Sequence, residues 1–296
     1  MTSARTGLVL CLSTFFVFTA AISSAATPQA SIDGQAPGAA APSATIAQAA
    51  QEEDDAILQP AEPEYRLINL PTTMLLPKYR MSFDLTHRFE GNLAVGSFLD
   101  NLKTLFGIDQ GATIGLEFRI AVARRVQAAV YRTSSDRTIQ FHGKWDAVRQ
   151  SGPSPVSASA LLSIEGTDNF TDDSRSPALG AAVSYLVGET AGLYATPIWV
   201  HNVAPGLGVT RDTFFVGVGT RVRIRPTVYV TAEVSPRLAG YQPGPPVYGF
   251  AIEKRAGGHM FQLNFTNTSS TTYAQVAKGG FTDSLFMGFN LARKFF

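Results

Sequence analysis

The chain has 296 residues, 16% of them charged and 10% aromatic, with 20 Phe and a mean hydropathy of +0.06. Soluble domains carry about a quarter charged residues, so this low charge density with many rings excludes a disordered chain and a strongly nucleic-acid-binding one. The net charge of +1 conceals two opposed segments, and the single cysteine, Cys11, leaves no internal disulfide framework or cysteine-based zinc site.

Residues 1–26 read as a secretory signal peptide. Arg5 supplies the positive start, Leu8 to Ala21 form a short apolar stretch, and Ser24-Ala25-Ala26 offers the small residues a signal peptidase reads. The apolar run is shorter than the roughly 20 residues a spanning helix needs, which disfavours a membrane anchor. The mature chain is expected to begin near Thr27. Residues 27–64 are rich in Ala, Pro, Gln, Ser and Gly, and their charges are Asp33, Glu52, Glu53, Asp54, Asp55, Glu62 and Glu64, with no Lys or Arg. Such a segment cannot bury enough apolar surface to offset its ordering entropy and is expected to be a disordered acidic linker. Composition and charge change near Tyr65, so a domain is expected over 65–296.

From Tyr79 onward the dominant period is two. Met81, Phe83, Leu85 and Phe89 share one face, and Arg80, Ser82, Asp84, Thr86 and Arg88 the other. Ile114, Leu116, Phe118 and Ile120 alternate with Thr113, Gly115, Glu117 and Arg119, and the same pattern returns around Phe141 and Val230. This is strand periodicity with one apolar face. Only Ser97 to Phe106 reads as helical. About 12 strands follow, at 79–89, 112–122, 126–133, 137–147, 157–166, 178–187, 192–202, 212–223, 227–235, 247–255, 259–267 and 283–295. Many have the 9–11 residues of a tilted membrane strand.

Connections at 123–125, 188–191, 224–226 and 256–258 are tight, whereas those at 90–111, 167–177, 203–211, 236–246 and 268–282 are long. The exceptions are 134–136, short where a long loop is expected, and 148–156, longer than its class. Short turns at one end and long loops at the other predict an all-β fold: a single antiparallel up-and-down transmembrane β-barrel. Such a sheet must close, because an open edge in hydrocarbon leaves backbone groups unsatisfied. Tyr79, Phe89, Tyr131, Trp145, Tyr194, Trp199, Tyr248 and Phe265 are expected to form interfacial aromatic girdles.

The closing strand carries Leu285, Met287, Phe289 and Leu291 on one face and ends Phe295-Phe296. It resembles the C-terminal signal read by the bacterial outer-membrane insertion machinery, with the apolar parity on Phe295 and an interruption at Arg293. A second resemblance rests on His87-Arg88-Phe89, on Phe106-Gly107-Ile108-Asp109-Gln110, on the hairpin Gly257 to Asn267 and on Gly288-Phe289-Asn290-Leu291-Ala292-Arg293. By these the chain is similar to a family of bacterial β-barrel proteins known as a domain of unknown function, over most of 65–296. The resemblance implies the barrel topology and brings no activity, cofactor or catalytic residue.

His87, His142, His201 and His259 lack the close spacing of a metal motif, and no nucleophile motif is present. No cofactor is expected. Placing the polar parity inward makes Arg80, Asp84, Arg88, Glu117, Arg119, Lys144, Asp146, Glu233, Gln262, Asn264 and Asn290 lumen-lining candidates. Arg221, Arg223, Arg255, Lys294, Glu165 and Glu253 join them. Mixed signs could pair and fill the interior, or an excess of cations could line a narrow passage favouring anions.

Lys78, Arg124, Arg125, Arg149, Arg225, Lys254, Arg255, Arg293 and Lys294 lie at or near the turn end, where Glu52 to Asp55 could rest on the mouth. The expected partners are outer-membrane lipid and, during biogenesis, the insertion machinery. Any small solute is undefined, and no nucleic acid is expected. The resulting expectation is a non-enzymatic bacterial outer-membrane barrel, exported by a cleaved signal peptide, acting as a narrow channel, transporter or structural barrel. Two alternatives stand beside it: a secreted soluble barrel carrying an apolar ligand inside, and an outer-membrane lipase-type enzyme.

Overall fold

The computed structural model describes residues 59–151, 153–171, 175–204 and 209–295. The expected signal peptide, residues 27–58 of the expected linker and Phe296 lie outside the described residues. In chain order the strands are β1 (Met81–Asn92), β2 (Ala112–Ala123), β3 (Val126–Thr133), β4 (Ile139–Val148), β5 (Ser157–Gly166), β6 (Arg175–Val187) and β7 (Ala191–Val200). They continue with β8 (Thr213–Arg225), β9 (Val228–Ser235), β10 (Arg237–Gly240), β11 (Val247–Ala256), β12 (His259–Thr266) and β13 (Phe286–Phe295). Apart from β10, which falls in the connection expected at 236–246, their ends lie within three residues of the expected spans.

All the pairings are antiparallel. The seam is closed by β1 against β13, from Met81 opposite Phe295 to Asn92 opposite Phe286. β8 joins β9, from Val218 opposite Val234 to Arg225 opposite Val228. β10 is not a further stave. Pro236 has no N–H to give to the ladder and breaks β9 from β10, and β10 continues along the same neighbour with Arg237 opposite Phe215. Twelve staves therefore form a closed barrel without an open edge.

The alternating side chains take the orientation that hydrocarbon demands. On β2, Ile114, Leu116, Phe118 and Ile120 are exposed, whereas Thr113, Glu117 and Arg119 are buried. On β11 and β12, Phe250, Ile252, Phe261 and Leu263 are exposed while Glu253, Gln262 and Asn264 are buried. A soluble carrier would need the reverse. Of the expected girdle, Tyr79, Trp145, Trp199 and Tyr248 are exposed, but Tyr131 and Tyr194 are buried, at 1% and 4% exposure. Both fall on the inward parity, Tyr131 with Gln127 and Thr133, Tyr194 with Gly192 and Thr196. Strand parity decides the side a ring faces, and ring chemistry does not.

The first long connection holds the expected short helix, α1 (Phe98–Lys103), capped by Ser97 through a capping box with Asp100. A second helix, α2 (Tyr273–Lys278), breaks the connection after β12, which the sequence presents as a plain loop. Its residues Tyr273 to Ala277 are all buried.

The interior is not left to the wall side chains. Residues 59–76, ahead of β1, occupy the barrel, and within them Tyr65–Thr72 form a small hairpin. Leu67 donates to the carbonyl of Leu70 (2.8 Å), Thr72 donates to that of Tyr65 (2.8 Å), and Arg66 bridges Pro71. Residues 59–64, placed by composition in the linker, belong to this inner segment: Glu62 and Glu64 are buried. Leu67 and Leu70 pack with Tyr273, Ala274, Val276 and Ala277 of α2, against Ile198, Val200, Phe215 and Val247 of the wall.

Candidate functional site

The chemistry of the lumen starts from a backbone problem. A hairpin of two residue pairs satisfies few of its own N–H and C=O groups, and inside a barrel the remainder must find partners on the wall. Glu233 of β9 accepts the N–H groups of Ile68 (3.0 Å), Asn69 (2.9 Å) and Leu70 (3.1 Å), so one carboxylate holds the hairpin tip. Gln262 donates to the carbonyl of Leu67 (2.8 Å), Asn290 to that of Ile68 (3.1 Å), and Arg221 to that of Arg66 (2.7 Å). Arg88 reaches Asn69 Oδ1 (3.2 Å) and Asn290 Oδ1 (2.8 Å).

The returning limb is held the same way. Lys144 donates to the carbonyls of Thr72 (3.2 Å) and Met74, Gln127 also donates to Met74 (3.1 Å), and Arg149 donates to Thr73. The Thr73 and Ser184 hydroxyls lie 2.6 Å apart. Glu62 accepts from both the N–H (2.9 Å) and the hydroxyl (2.9 Å) of Thr73. Burial raises the Glu62 carboxyl above its ordinary range, with Lys144 and the Thr73 bonds opposing it.

The charges pair. Glu117 takes Arg119 (2.6 Å), His142 (3.1 Å) and Arg66 of the hairpin. Arg221 forks onto Glu253 (2.7 and 3.0 Å), which also accepts from Gln262 (2.6 Å). Lys294 meets Glu64 (2.6 Å), while Asp146 faces Lys144 (3.6 Å) and accepts from Ser159 (2.6 Å). Asp84 accepts from Ser82 (3.3 Å), and Asn264 donates to Gln262 (3.1 Å). At the loop end, Glu165 accepts from the Thr272 hydroxyl (2.9 Å) and the Ala274 N–H (3.3 Å), fixing the start of α2.

Most of the lumen-lining candidates thus bond to the hairpin or to the residues that hold it, whereas Glu165 holds α2 and Asp84 meets Ser82; two others differ in placement. Arg80 is exposed, because it precedes β1 and sits outside the alternation that begins at Met81. Arg223 lies at the turn-side rim, paired with Glu189 (3.3 Å). Without these two, and with Arg237 of β10, which also faces inward, the inward cations of the wall are Arg88, Arg119, Lys144, Arg221, Arg237, Arg255 and Lys294, against Asp84, Glu117, Asp146, Glu165, Glu233 and Glu253. Seven face six, so little remains of the excess of cations that would have favoured anions.

Two features were not foreseen, the hairpin and α2. A legible trace of the hairpin exists in β8, where Gly217 and Gly219 stand at inward positions. A Cβ on Gly217 would overlap Leu70 Cδ2, and one on Gly219 would lie 2.5 Å from Leu67 Cδ1. Inward glycines two apart leave a recess, and the two leucines fill it. Among the described residues no group of three or more His, Cys, Asp or Glu is placed to hold a metal ion.

A family model described as a membrane bound beta barrel domain (DUF5777) matches residues 64–295. The chain belongs to this family. The matched range begins at the hairpin, so the family's domain spans both the inner segment and the wall. Among solved structures, the chain is similar to the NanC porin at 4% identity, covering 72% of this chain and 100% of that one with a TM-score of 0.49. It is also similar to the outer membrane protein Omp33 of Acinetobacter baumannii (11% identity, 74% and 99% coverage, TM-score 0.39). A third is OmpT, an outer membrane protein of Vibrio cholerae (9% identity, 73% and 96% coverage, TM-score 0.35). No curated protein matches the chain.

Proposed function

We propose that this protein is a bacterial outer-membrane barrel without enzymatic activity that serves as a gated solute pathway, closed at rest by its own N-terminal hairpin. Placement in the outer membrane is supported by the even number of staves, the short turns and long loops at opposite ends, and a leader with the features of an export signal. The observation that carries the gate is the manner in which the hairpin is held. The wall closes on itself without it, and the hairpin joins the wall covalently only through residues 73–80. Its other attachments are chiefly hydrogen bonds and ion pairs, each of which water can replace. Its withdrawal would leave a polar lumen of nearly balanced charge, suited to small polar solutes of either sign. The competing reading is a permanently closed structural barrel, favoured by the apolar cluster where the hairpin meets α2.

The test is a lock. Thr73→Cys with Ser184→Cys places two thiols where hydroxyls now lie 2.6 Å apart, within reach of a disulfide. In planar bilayers the native protein should show occasional openings, the oxidised double variant none, and the reduced variant openings again. Silence of native and reduced protein at every voltage would favour the structural barrel. Openings that persist in the oxidised variant would mean that the hairpin is not the gate.

A further inference from the structure

The cations at the turn end remain unexplained by the lumen. Lys78, Arg80, Arg124, Arg125, Arg225 and Lys254 are exposed there. The one exposed carboxylate at that end among the described residues is Glu189, already paired with Arg223. Directly above lie outward apolar side chains, among them Tyr79, Met81, Trp145, Ile224 and Phe295. A cationic rim under an apolar band matches the phosphate level of a lipid leaflet.

One sector of this rim has more specific geometry. Across β11, β12 and β13 the outward face carries a furrow of about 550 Å³, lined by Ile252, Lys254, Phe261, Leu263, Phe289 and Leu291. Lys254 lies opposite Phe261, and Phe261 opposite Leu291, so the furrow's turn-side end carries an ammonium in an otherwise apolar row. The next outward row toward the turns pairs His259 with Arg293. Arg293 lies 2.9 Å from His259 Nδ1 and over the Phe295 ring at 5.7 Å, while His259 stacks on Phe261. Lys254 and Arg293 stand one outward row (about 7 Å) and two strands (about 10 Å) apart, a span that their long side chains can close on one phosphate once the Lys254 ammonium leaves the Thr227 hydroxyl to which it donates (2.6 Å). The arginine that interrupts the apolar face of the last strand is therefore placed beside the furrow mouth.

We infer that this furrow is a binding site for one anionic phospholipid of the turn-side leaflet. An acyl chain lies along Ile252, Leu263 and Phe289, and the phosphate meets Lys254 and Arg293. The occupant is anionic because, among the described residues, the rim presents cations with a single exposed carboxylate, Glu189, already paired, and a lipid because the groove below them is apolar. The inference needs only a membrane-bound barrel, which the family establishes, and does not depend on the gate.

The experiment is native mass spectrometry of the full chain released from vesicles of equimolar phosphatidylglycerol and phosphatidylcholine. The native protein should retain phosphatidylglycerol at least several-fold over phosphatidylcholine. Lys254→Gln/Arg293→Gln should bring that ratio close to one, while Lys254→Arg keeps it. Arg124→Gln/Arg125→Gln, on another sector of the rim, should lower the ratio much less. Gel migration of unboiled against boiled samples verifies folding of each variant. No preference in the native protein would overturn the site, as would an unchanged ratio in the Lys254/Arg293 variant. Equal losses in both double variants would reduce the site to a diffuse charge effect and overturn the furrow.

Discussion

Glu233→Ala removes the group that holds the hairpin tip. Its carboxylate accepts three backbone N–H groups at 2.9–3.1 Å, all buried. A hydrogen bond to a charged group contributes about 1.5–3 kcal/mol net, but the three share one acceptor and water can enter part of the space left behind. The loss should therefore fall below the sum of three such bonds, at about 3–5 kcal/mol, since each buried N–H left without an acceptor costs about 1–3 kcal/mol. Since every 1.4 kcal/mol is tenfold, the population with a displaced hairpin should rise at least about a hundredfold. Amide hydrogen exchange in lipid nanodiscs reads this directly, as loss of protection at Ile68, Asn69 and Leu70, through local opening that leaves the staves intact. Glu233→Gln, which keeps one oxygen acceptor, should fall between. If the three amides exchange at native rates in a folded Glu233→Ala barrel, the account of how the tip is held is wrong.

Other sites test the remaining parts of the scheme. Gly217→Ala places a Cβ against Leu70 Cδ2, closer than van der Waals contact allows, and should weaken hairpin docking by about 1–3 kcal/mol, the usual cost of overpacking. Exchange would quicken at Leu67 and Leu70 while heat-modified gel migration stays unchanged. Glu165→Ala deprives Thr272 and the Ala274 N–H of their acceptor, and about 1–3 kcal/mol of lost anchoring should expose α2 to protease added on the loop side. Phe118→Arg puts a charge on the lipid face; urea unfolding from bilayers should report a loss of about 2–4 kcal/mol, as for a midplane cation, and a negligible loss would contradict the outward parity.

The wall was legible because a period of two leaves an unambiguous record: Phe118 and Glu117 are neighbours in sequence and face opposite solvents. Closure followed from the need to satisfy edge groups, and Arg293 could be read as anomalous on an apolar face. The contents of the lumen were not legible, because nothing local in Tyr65–Thr72 distinguishes a hairpin held by remote side chains from an irregular approach to the first strand. Its partners Glu233 and Asn290 are 164 and 222 residues away from the atoms they hold. Composition misassigned Glu62 and Glu64 for the same reason, since their burial depends on Thr73 and Lys294 rather than on their own Ala/Pro-rich surroundings. Tyr131 and Tyr194 were misplaced by weighing ring chemistry above register.

The hairpin precedes every stave in the chain and yet touches both early and final ones, with Arg88 near the start and Asn290 near the end among its holders. An early-synthesised stretch whose docking surface is completed only by the last strand cannot settle until that strand arrives. Protection of its amides would therefore serve as a clock for the moment the cylinder is sealed.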